Sequence, residues 1–205
     1  MRVLYTLALL AGTASAGIIN APAAPGPNEV KIVNVTAIGS GCPAGHAYVN
    51  VDATGTVFDV AFDQYIVTAG PGTNPANTRK NCRISINLSF PGGYQFSIIE
   101  TRFTGYASLA EGQTGTCRAG YTFSGDSSQE VVFQKNILAP YEDNYNMIAG
   151  VGVESFSRCG LAAILNVNSE IRIQPLSTPY LGTMTVRPPQ TVKVMWRRCN
   201  NDSTK

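Results

Sequence analysis

The chain has 205 residues, a formal net charge of +2 and only 14% charged residues, with 20 Gly and 12 Pro. The near balance of charge excludes a nucleic-acid binder, because such proteins need a concentrated basic face. Low charge combined with many turn-forming residues is typical of a secreted all-β protein.

The first 16 residues have the pattern of a signal peptide. Arg2 precedes the apolar run Val3–Ala11, and Ala14-Ser15-Ala16 is a small-residue cleavage motif. The apolar run is too short to span a bilayer, so we expect a secreted, extracellular protein with no membrane span. Loss of residues 1–16 from the 205-residue chain leaves 189, which is enough for one domain.

The remaining sequence divides into three parts. Residues 17–28 are rich in Pro and Ala and predict an extended lead-in. Residues 29–199 predict a single domain, and residues 200–205 predict a flexible tail.

Period-2 alternation of apolar side chains dominates from Glu29 onward and predicts about ten strands. After the strand that begins there, we predict strands at His46–Val51, Thr56–Phe62, Ile84–Phe90, Tyr94–Leu109, Thr116–Ser124, Glu130–Asn136, Asn146–Phe156, Ala163–Ile173, Leu181–Arg187 and Thr191–Arg198. Asp52–Gly55 predicts a hairpin, Pro91-Gly92-Gly93 a turn, and Gly105 a bend. These features favour a single antiparallel β-sandwich, jelly-roll-like and stapled by disulfides, with a closed barrel as the alternative.

Five cysteines in an oxidising compartment leave one over after pairing. Their order favours Cys42–Cys82 and Cys159–Cys199, although other pairings remain open. Cys117 is then the odd residue. A buried or capped thiol is the alternative to a thiol nucleophile that would act with His46.

Catalytic patterns are sparse. His46 is the single histidine, which excludes a metal site built on two or more histidines, and no sequence feature gives it a nucleophile. Two carboxylates could hydrolyse glycosides if they shared a cleft. The candidates are Asp59, Asp63, Glu100, Glu111, Glu142, Asp143, Glu154 and Glu170. We predict a protein that is not an enzyme, with no catalytic residue, metal or cofactor.

Recognition residues are suggested around the breaker-rich loop Gly70–Asn77. Arg79 and Lys80 follow this loop and Tyr65 precedes it, so these three residues form a possible recognition surface. Charges that discourage pairing at a strand edge are the alternative reading of the basic pair. The tyrosines could also form a platform on which sugar rings stack, although packing within the sheet explains them as well.

Three sequons predict N-glycans in a secreted chain, at Asn34, Asn87 and Asn201. Asn87 lies on the polar face of its strand, so a glycan there would mark that face as exposed to solvent.

Several segments together resemble an uncharacterised family of small secreted fungal proteins, classed as a domain of unknown function. The segments are Gly39-Ser40-Gly41-Cys42-Pro43, Phe62-Asp63-Gln64-Tyr65, Gly70-Pro71-Gly72, Arg79-Lys80-Asn81-Cys82, Gly105-Tyr106-Ala107, Cys159-Gly160, Leu165-Asn166-Val167-Asn168-Ser169 and Trp196-Arg197-Arg198-Cys199. The resemblance implies a secreted β-protein with four framework cysteines, matching Cys42, Cys82, Cys159 and Cys199. It brings no catalytic residues, and some similar proteins act as effectors or elicitors.

We therefore predict a monomeric extracellular interaction protein, an effector or elicitor, whose partner is an unknown protein or polysaccharide. A carbohydrate- or cell-wall-binding module is the alternative, and a two-carboxylate glycoside hydrolase is the third hypothesis.

Overall fold

The computed structural model describes residues 24–26, 28–124, 130–150, 156–175 and 179–199. It contains ten strands and one 3₁₀ helix, Pro75–Asn77, within these residues. The strands are β1 Lys31–Ile38, β2 Ala47–Val51, β3 Val57–Phe62, β4 Ile66–Ala69, β5 Arg79–Leu109, β6 Thr114–Phe123, β7 Val131–Leu138, β8 Tyr141–Gly150, β9 Gly160–Gln174 and β10 Gly182–Arg198. No helix in the described ranges is long and apolar enough to cross a membrane.

All strand pairs are antiparallel, and the long strand β5 takes part in both layers of the fold. Its first part, up to Ser89, pairs with β1 and β9, and β9 continues the layer through β6 to β7. Its second part, from Tyr94, pairs with β10 and β8, and β10 carries β3 and β4 on its other edge. We call these the first layer (β1, β5, β9, β6, β7) and the second layer (β2, β3, β4, β10, β5, β8). The predicted all-β sandwich is confirmed.

Pro91-Gly92-Gly93 does not end a strand, contrary to the prediction of a turn. The ladder between β5 and β9 shifts register between Ser89 and Tyr94, and β5 continues without interruption. Gly93 has φ +81°, which only glycine adopts without strain. This irregularity lets one strand leave the first layer and join the second.

Gly105 also differs from its predicted role as a bend, because the ladders on both sides of it keep regular register. A side chain at this position would lie 2.5 Å from the ring of Tyr145. The glycine therefore makes room for a tyrosine of β8. β4 was not predicted, and β10 is one strand, with a register shift between Arg187 and Thr191, where two strands were expected.

The core lies between the layers. Phe96 contacts Phe123 across the interface at 5.1 Å and Trp196 within its own layer at 4.9 Å, counted between ring centroids. The indole Nε1 of Trp196 donates to the Gly55 carbonyl at 2.8 Å, so the buried ring has no unpaired donor.

Buried hydroxyl groups also join the layers. Tyr65 Oη is 3.2 Å from Ser169 Oγ, and Thr101 shares a short hydrogen bond with Tyr121. Because buried polar groups need partners, these contacts fix how the layers sit on each other.

Two disulfides are present. Cys42 is bonded to Cys82 and Cys159 to Cys199, each across a sequence separation of 40. Cys117 is free and buried. The predicted signal peptide, the tail 200–205 and Asn201 lie outside the described residues, as does most of the lead-in.

Candidate functional site

An open polar groove of about 450 Å³ lies on the outer face of the first layer. The residues that line it are Ile38, Gly39, Arg79, Asn81, Cys82, Arg83, Arg118, Glu130, Asn168, Ser169 and Glu170. Most of the side chains in this set are guanidinium, carboxylate or amide groups, which are the strongest hydrogen-bonding groups in proteins.

Strand alternation explains why these side chains face solvent. In β5, Ile84, Ile86 and Leu88 are fully buried, so the residues between them point outward. The register then forms two polar rows across the sheet. One row joins Asn81, Glu170 and Arg118 on adjacent strands, and the next joins Ile38, Arg83, Asn168 and Gly120.

A hydrogen-bonded chain runs along the second row. Arg83 Nε donates to Asn168 Oδ1 at 3.0 Å, and Asn168 Nδ2 donates to Glu130 Oε1 at 3.3 Å. Arg118 Nη2 donates to the other oxygen of Glu130 at 2.7 Å. These four side chains hold one another in place: three lie on the adjacent strands β5, β9 and β6, and Glu130 directly precedes β7. Strands are the rigid supports on which precise binding sites are built.

A second network is centred on Glu170. Arg79 donates to Glu170 Oε2 from both Nε, at 2.8 Å, and Nη2, at 2.5 Å. The hydrogen bond to Glu170 and the charge of that carboxylate raise the pKa of Arg79 above its ordinary value. Arg172 Nε lies 3.8 Å from the other carboxylate oxygen of Glu170, and this nitrogen has no hydrogen-bond partner among the described residues.

One wall of the groove begins at Gly39, and the Cys42–Cys82 disulfide holds the rest of the segment 39–42 against β5. Gly41 N donates to the Asn81 carbonyl at 2.8 Å, and Ser40 Oγ donates to Asn81 Oδ1 at 3.2 Å. A Cβ at Gly39 would lie 2.2 Å from the Asn81 carbonyl oxygen, so only glycine permits this approach.

Gly120 provides space at the opposite end of the groove. A Cβ there would lie 2.0 Å from Glu130 Oε1. The missing side chain therefore lets the carboxylate of Glu130 lie over β6, where it reaches both Arg118 and Asn168.

The predicted recognition surface is only partly correct. Arg79 lines the groove, whereas Lys80, as the next residue in the strand, points to the opposite face. Tyr65 was wrongly placed on the surface: it is 1% exposed, because its ring packs on Phe62 and its hydroxyl group bonds Ser169. The three residues do not form one surface.

Among the described residues, the tyrosines suggested for a stacking platform do not lie at the groove. Tyr65, Tyr121 and Tyr145 are core residues, and no aromatic side chain lines the groove. Tyr106 lies on the second layer, where its hydroxyl group donates to Glu142 Oε1 at 3.3 Å.

Of the candidate carboxylates, Glu170 shares the groove with Glu130, an acid that the sequence argument did not single out. Each is hydrogen-bonded to an arginine, so neither is an unpaired acid. Glu100 is half-buried and pairs with Lys193 at 2.9 Å. The register shift next to Glu100 turns its side chain outward.

His46 lies 3.5 Å from Asp63, and both side chains are well exposed. This is a surface pair. Among the described residues, no group of three or more His, Cys, Asp or Glu side chains is arranged to hold a metal ion.

Cys117 is fully buried, and burial raises the pKa of its thiol to about 12. Reactive cysteines need the thiolate form and access to solvent, and Cys117 has neither.

The sequons Asn34 and Asn87 are direct partners on β1 and β5. Asn34 is exposed and Asn87 is half-buried. Both lie on the face that carries the groove.

The alternating polar residues of β5 and β9 are the signal by which sequence reasoning could have found this face. Ser85, Asn87, Asn166, Asn168 and Glu170 all oppose buried apolar neighbours in their strands. The pairing of β9 with β5 and β6 was not available from the sequence, so the cluster was missed.

Comparison with known proteins assigns the chain to a family. A family model described as a domain of unknown function, DUF4360, matches residues 28–199. The chain belongs to the DUF4360 family. The predicted resemblance is therefore confirmed, and the groove of this DUF4360 protein lies wholly within the matched residues.

A curated relative of this DUF4360 protein is an "Uncharacterized secreted protein" of the fungus Arthroderma benhamiae. It is 35% identical over 185 residues, which are 87% of this chain and 75% of the relative. Disulfides are typical of the extracellular compartment. The protein is secreted, as the sequence predicted.

Two solved structures share a distant likeness. One is TmCBM61 in complex with β-1,4-galactotriose, with a TM-score of 0.31, 10% identity, and coverage of 82% of this chain and 91% of that one. The other is the CBM22-1–GH10 part of Clostridium thermocellum xylanase 10B with xylohexaose. It has a TM-score of 0.25 and 8% identity, and covers 89% of this chain and 29% of that one. Likeness of this degree carries no argument about function.

Proposed function

We propose that this secreted protein binds an extracellular polysaccharide through the groove of the first layer, without catalysing a reaction. The observation that carries the proposal is the chain of side chains Arg83–Asn168–Glu130–Arg118, which is fixed by hydrogen bonds and lines an open groove. Sugar hydroxyl groups donate and accept hydrogen bonds in close pairs. Planar amide, guanidinium and carboxylate groups match such pairs.

The composition of the groove argues against other ligand classes. Pockets for small apolar molecules are lined mainly by hydrophobic and aromatic side chains, whereas this groove is polar. Protein interfaces depend on buried aromatic and apolar anchors, and Ile38 is the one large apolar side chain in the groove lining. Nucleic acids need a concentrated basic face, and two of the groove's arginines, Arg79 and Arg118, are already paired with Glu170 and Glu130.

A hydrolase is less well supported than a binding protein. Glycoside hydrolysis uses two carboxyl groups, and both carboxylates of the groove are already paired with arginines. The effector or elicitor role rests on the resemblance alone, and no feature of the groove bears on a plant host. We therefore place polysaccharide binding first.

The test is a pull-down of purified, disulfide-bonded protein on insoluble chitin, β-glucan, cellulose and pectin. The groove variant is Asn168→Ala, which removes the central link of the hydrogen-bonded chain. Its matched control is Asn144→Ala, which removes an exposed amide of the second layer that accepts from Arg187 at 2.7 Å.

We expect retention on at least one polysaccharide, lost in Asn168→Ala and kept in Asn144→Ala. Circular dichroism of both variants checks that the fold is intact. Failure of the wild-type protein to bind any of the polysaccharides, or equal binding by the two variants, would overturn the proposal.

A further inference from the structure

The groove and its flank hold an excess of positive charge. Arg79, Arg83, Arg118 and Arg172 face two carboxylates, Glu130 and Glu170. These six residues have a net charge of +2, which equals the formal charge of the whole chain. Setting them aside leaves 11 basic and 11 acidic residues out of 15 and 13, so the rest of the chain is balanced.

Two of the four arginines are hydrogen-bonded to carboxylates, and two are not. Arg79 and Arg118 each bind a glutamate at 2.8 Å or less. Arg83 uses Nε to bond the neutral amide of Asn168 and has no carboxylate partner among the described residues. Arg172 touches Glu170 only at 3.8 Å.

A hydrogen bond on one side of the Arg83 guanidinium group leaves its other side available to a ligand. Its Nε is anchored on Asn168, which leaves the two terminal nitrogens as a planar fork. Such a fork matches a carboxylate with two parallel hydrogen bonds. Its partner across the β1–β5 ladder is Ile38, whose side chain is 73% exposed and lines the same groove. An anion-binding fork beside an apolar surface suits a sugar ring that carries an acidic substituent.

We infer that the natural ligand is an acidic polysaccharide whose uronic-acid carboxylates are bound by Arg83. The inference rests on the proposed function, since it names the sugar class that the groove selects. Asn168, Glu130 and Arg118 bind the neutral hydroxyl groups of the sugar. Arg83 makes the groove prefer a charged sugar to a neutral one.

The experiment compares a polymer of galacturonic acid with the same polymer after full methyl esterification, by affinity electrophoresis at about 50 mM and about 200 mM salt. Methylation removes the charge and keeps the ring hydroxyl groups. A hydrogen bond to a charged group contributes about 1.5–3 kcal/mol, so we expect the acidic polymer to bind at least about tenfold more tightly. The difference shrinks at the higher salt concentration.

The variants are Arg83→Gln and Arg83→Lys. Arg83→Gln abolishes the preference for the acidic polymer but keeps affinity for the methyl ester, whereas Arg83→Lys keeps part of the preference, because a lysine retains charge without the fork. Arg102→Gln, which removes an exposed arginine from the second layer, behaves like wild type.

The outcomes separate the two ideas. Equal affinity for the two polymers, or a preference that survives in Arg83→Gln, overturns the acidic-sugar inference and leaves polysaccharide binding standing. No binding to either polymer or to any neutral polysaccharide overturns both. Thermal unfolding of each variant confirms that it is folded.

Discussion

Gly120 has no side chain, and the groove depends on the space that this leaves. Its absent Cβ leaves room for Glu130 Oε1, which would otherwise be 2.0 Å away. The clashing atoms belong to the end of a flexible side chain, so the strand itself need not move. Glu130 would instead swing away and lose Arg118 or Asn168.

We therefore predict that Gly120→Ala weakens polysaccharide binding several-fold while changing the free energy of unfolding by less than about 1 kcal/mol. Gly150→Ala is the matched control, since a Cβ there meets only one atom, at 3.9 Å. Binding assays and urea titration measure the two effects. A Gly120→Ala protein with wild-type affinity would show that the position of Glu130 is unimportant.

Arg79, Lys80 and Tyr65 show where residue-level reasoning reached its limit. Arg79 lines the groove, but the parity of the strand separates it from Lys80. Tyr65 precedes the loop, which suggested a place beside Arg79, and Ser169 on the other layer bonds its hydroxyl group inside the core. A partner 104 residues away cannot be identified from sequence spacing.

At the scale of elements, the two disulfides form a natural matched pair. Both close loops with a sequence separation of 40, so the chain-entropy model assigns each about 4 kcal/mol. They differ in place: Cys42–Cys82 fastens the 39–42 wall of the groove, whereas Cys159 and Cys199 do not line it.

We predict that Cys42→Ala/Cys82→Ala and Cys159→Ala/Cys199→Ala lose similar free energies of unfolding, and that only the first variant loses polysaccharide affinity. Urea unfolding and affinity electrophoresis at low temperature give the two quantities. Equal affinity in the two variants would contradict the assignment of the groove wall.

The cross-strand sequons give a second element-level prediction. Paired side chains in an antiparallel ladder begin about 5 Å apart, which is too close for two glycans. Asn34 is exposed while Asn87 is half-buried, so we expect Asn34 to carry the glycan. Glycopeptide mass spectrometry of the secreted protein measures the occupancy of each site. A single molecule glycosylated at both positions would contradict this expectation.

The strands themselves were largely predictable, because alternation in segments such as Ile84–Phe90 reports burial directly. The continuity of β5 was not, since Pro91-Gly92-Gly93 has the composition of a turn. The composition does not show that β5 changes partner strands at this segment rather than reversing direction. The groove lies on the part of β5 before that change, where the partner strands are β1 and β9 rather than the neighbouring strands in the chain.

At the scale of the whole molecule, four of the described side chains that can lose a proton are buried at the interface between the layers. Burial raises the pKa of the Cys117 thiol to about 12 from an ordinary value of 9.0. Burial likewise raises the pKa of Tyr65, Tyr121 and Tyr145 above the ordinary 10.0. In the unfolded chain these groups ionise at their ordinary values, so above about pH 9 unfolding releases protons.

Stability is therefore fully present below about pH 9 and falls as the pH rises beyond it. Each group contributes up to about 1.4 kcal/mol per pH unit between its unfolded and folded pKa values. Urea unfolding from about pH 8 to about pH 11 measures the slope, and Cys117→Ser, which does not titrate in this range, has a shallower slope at its start. Constant stability up to about pH 11 would be inconsistent with four buried protons.

The proposed polysaccharide site lies on the outer face of the first layer. The most direct measurement is an NMR titration of isotope-labelled protein with soluble oligosaccharides of galacturonic acid, followed by mapping of the amide shift changes. We expect changes concentrated in residues 79–87, 116–122 and 164–172, and smaller changes at the same residues in Arg83→Gln at the same oligosaccharide concentration. Changes confined to β8 and β10, on the other layer, would contradict it.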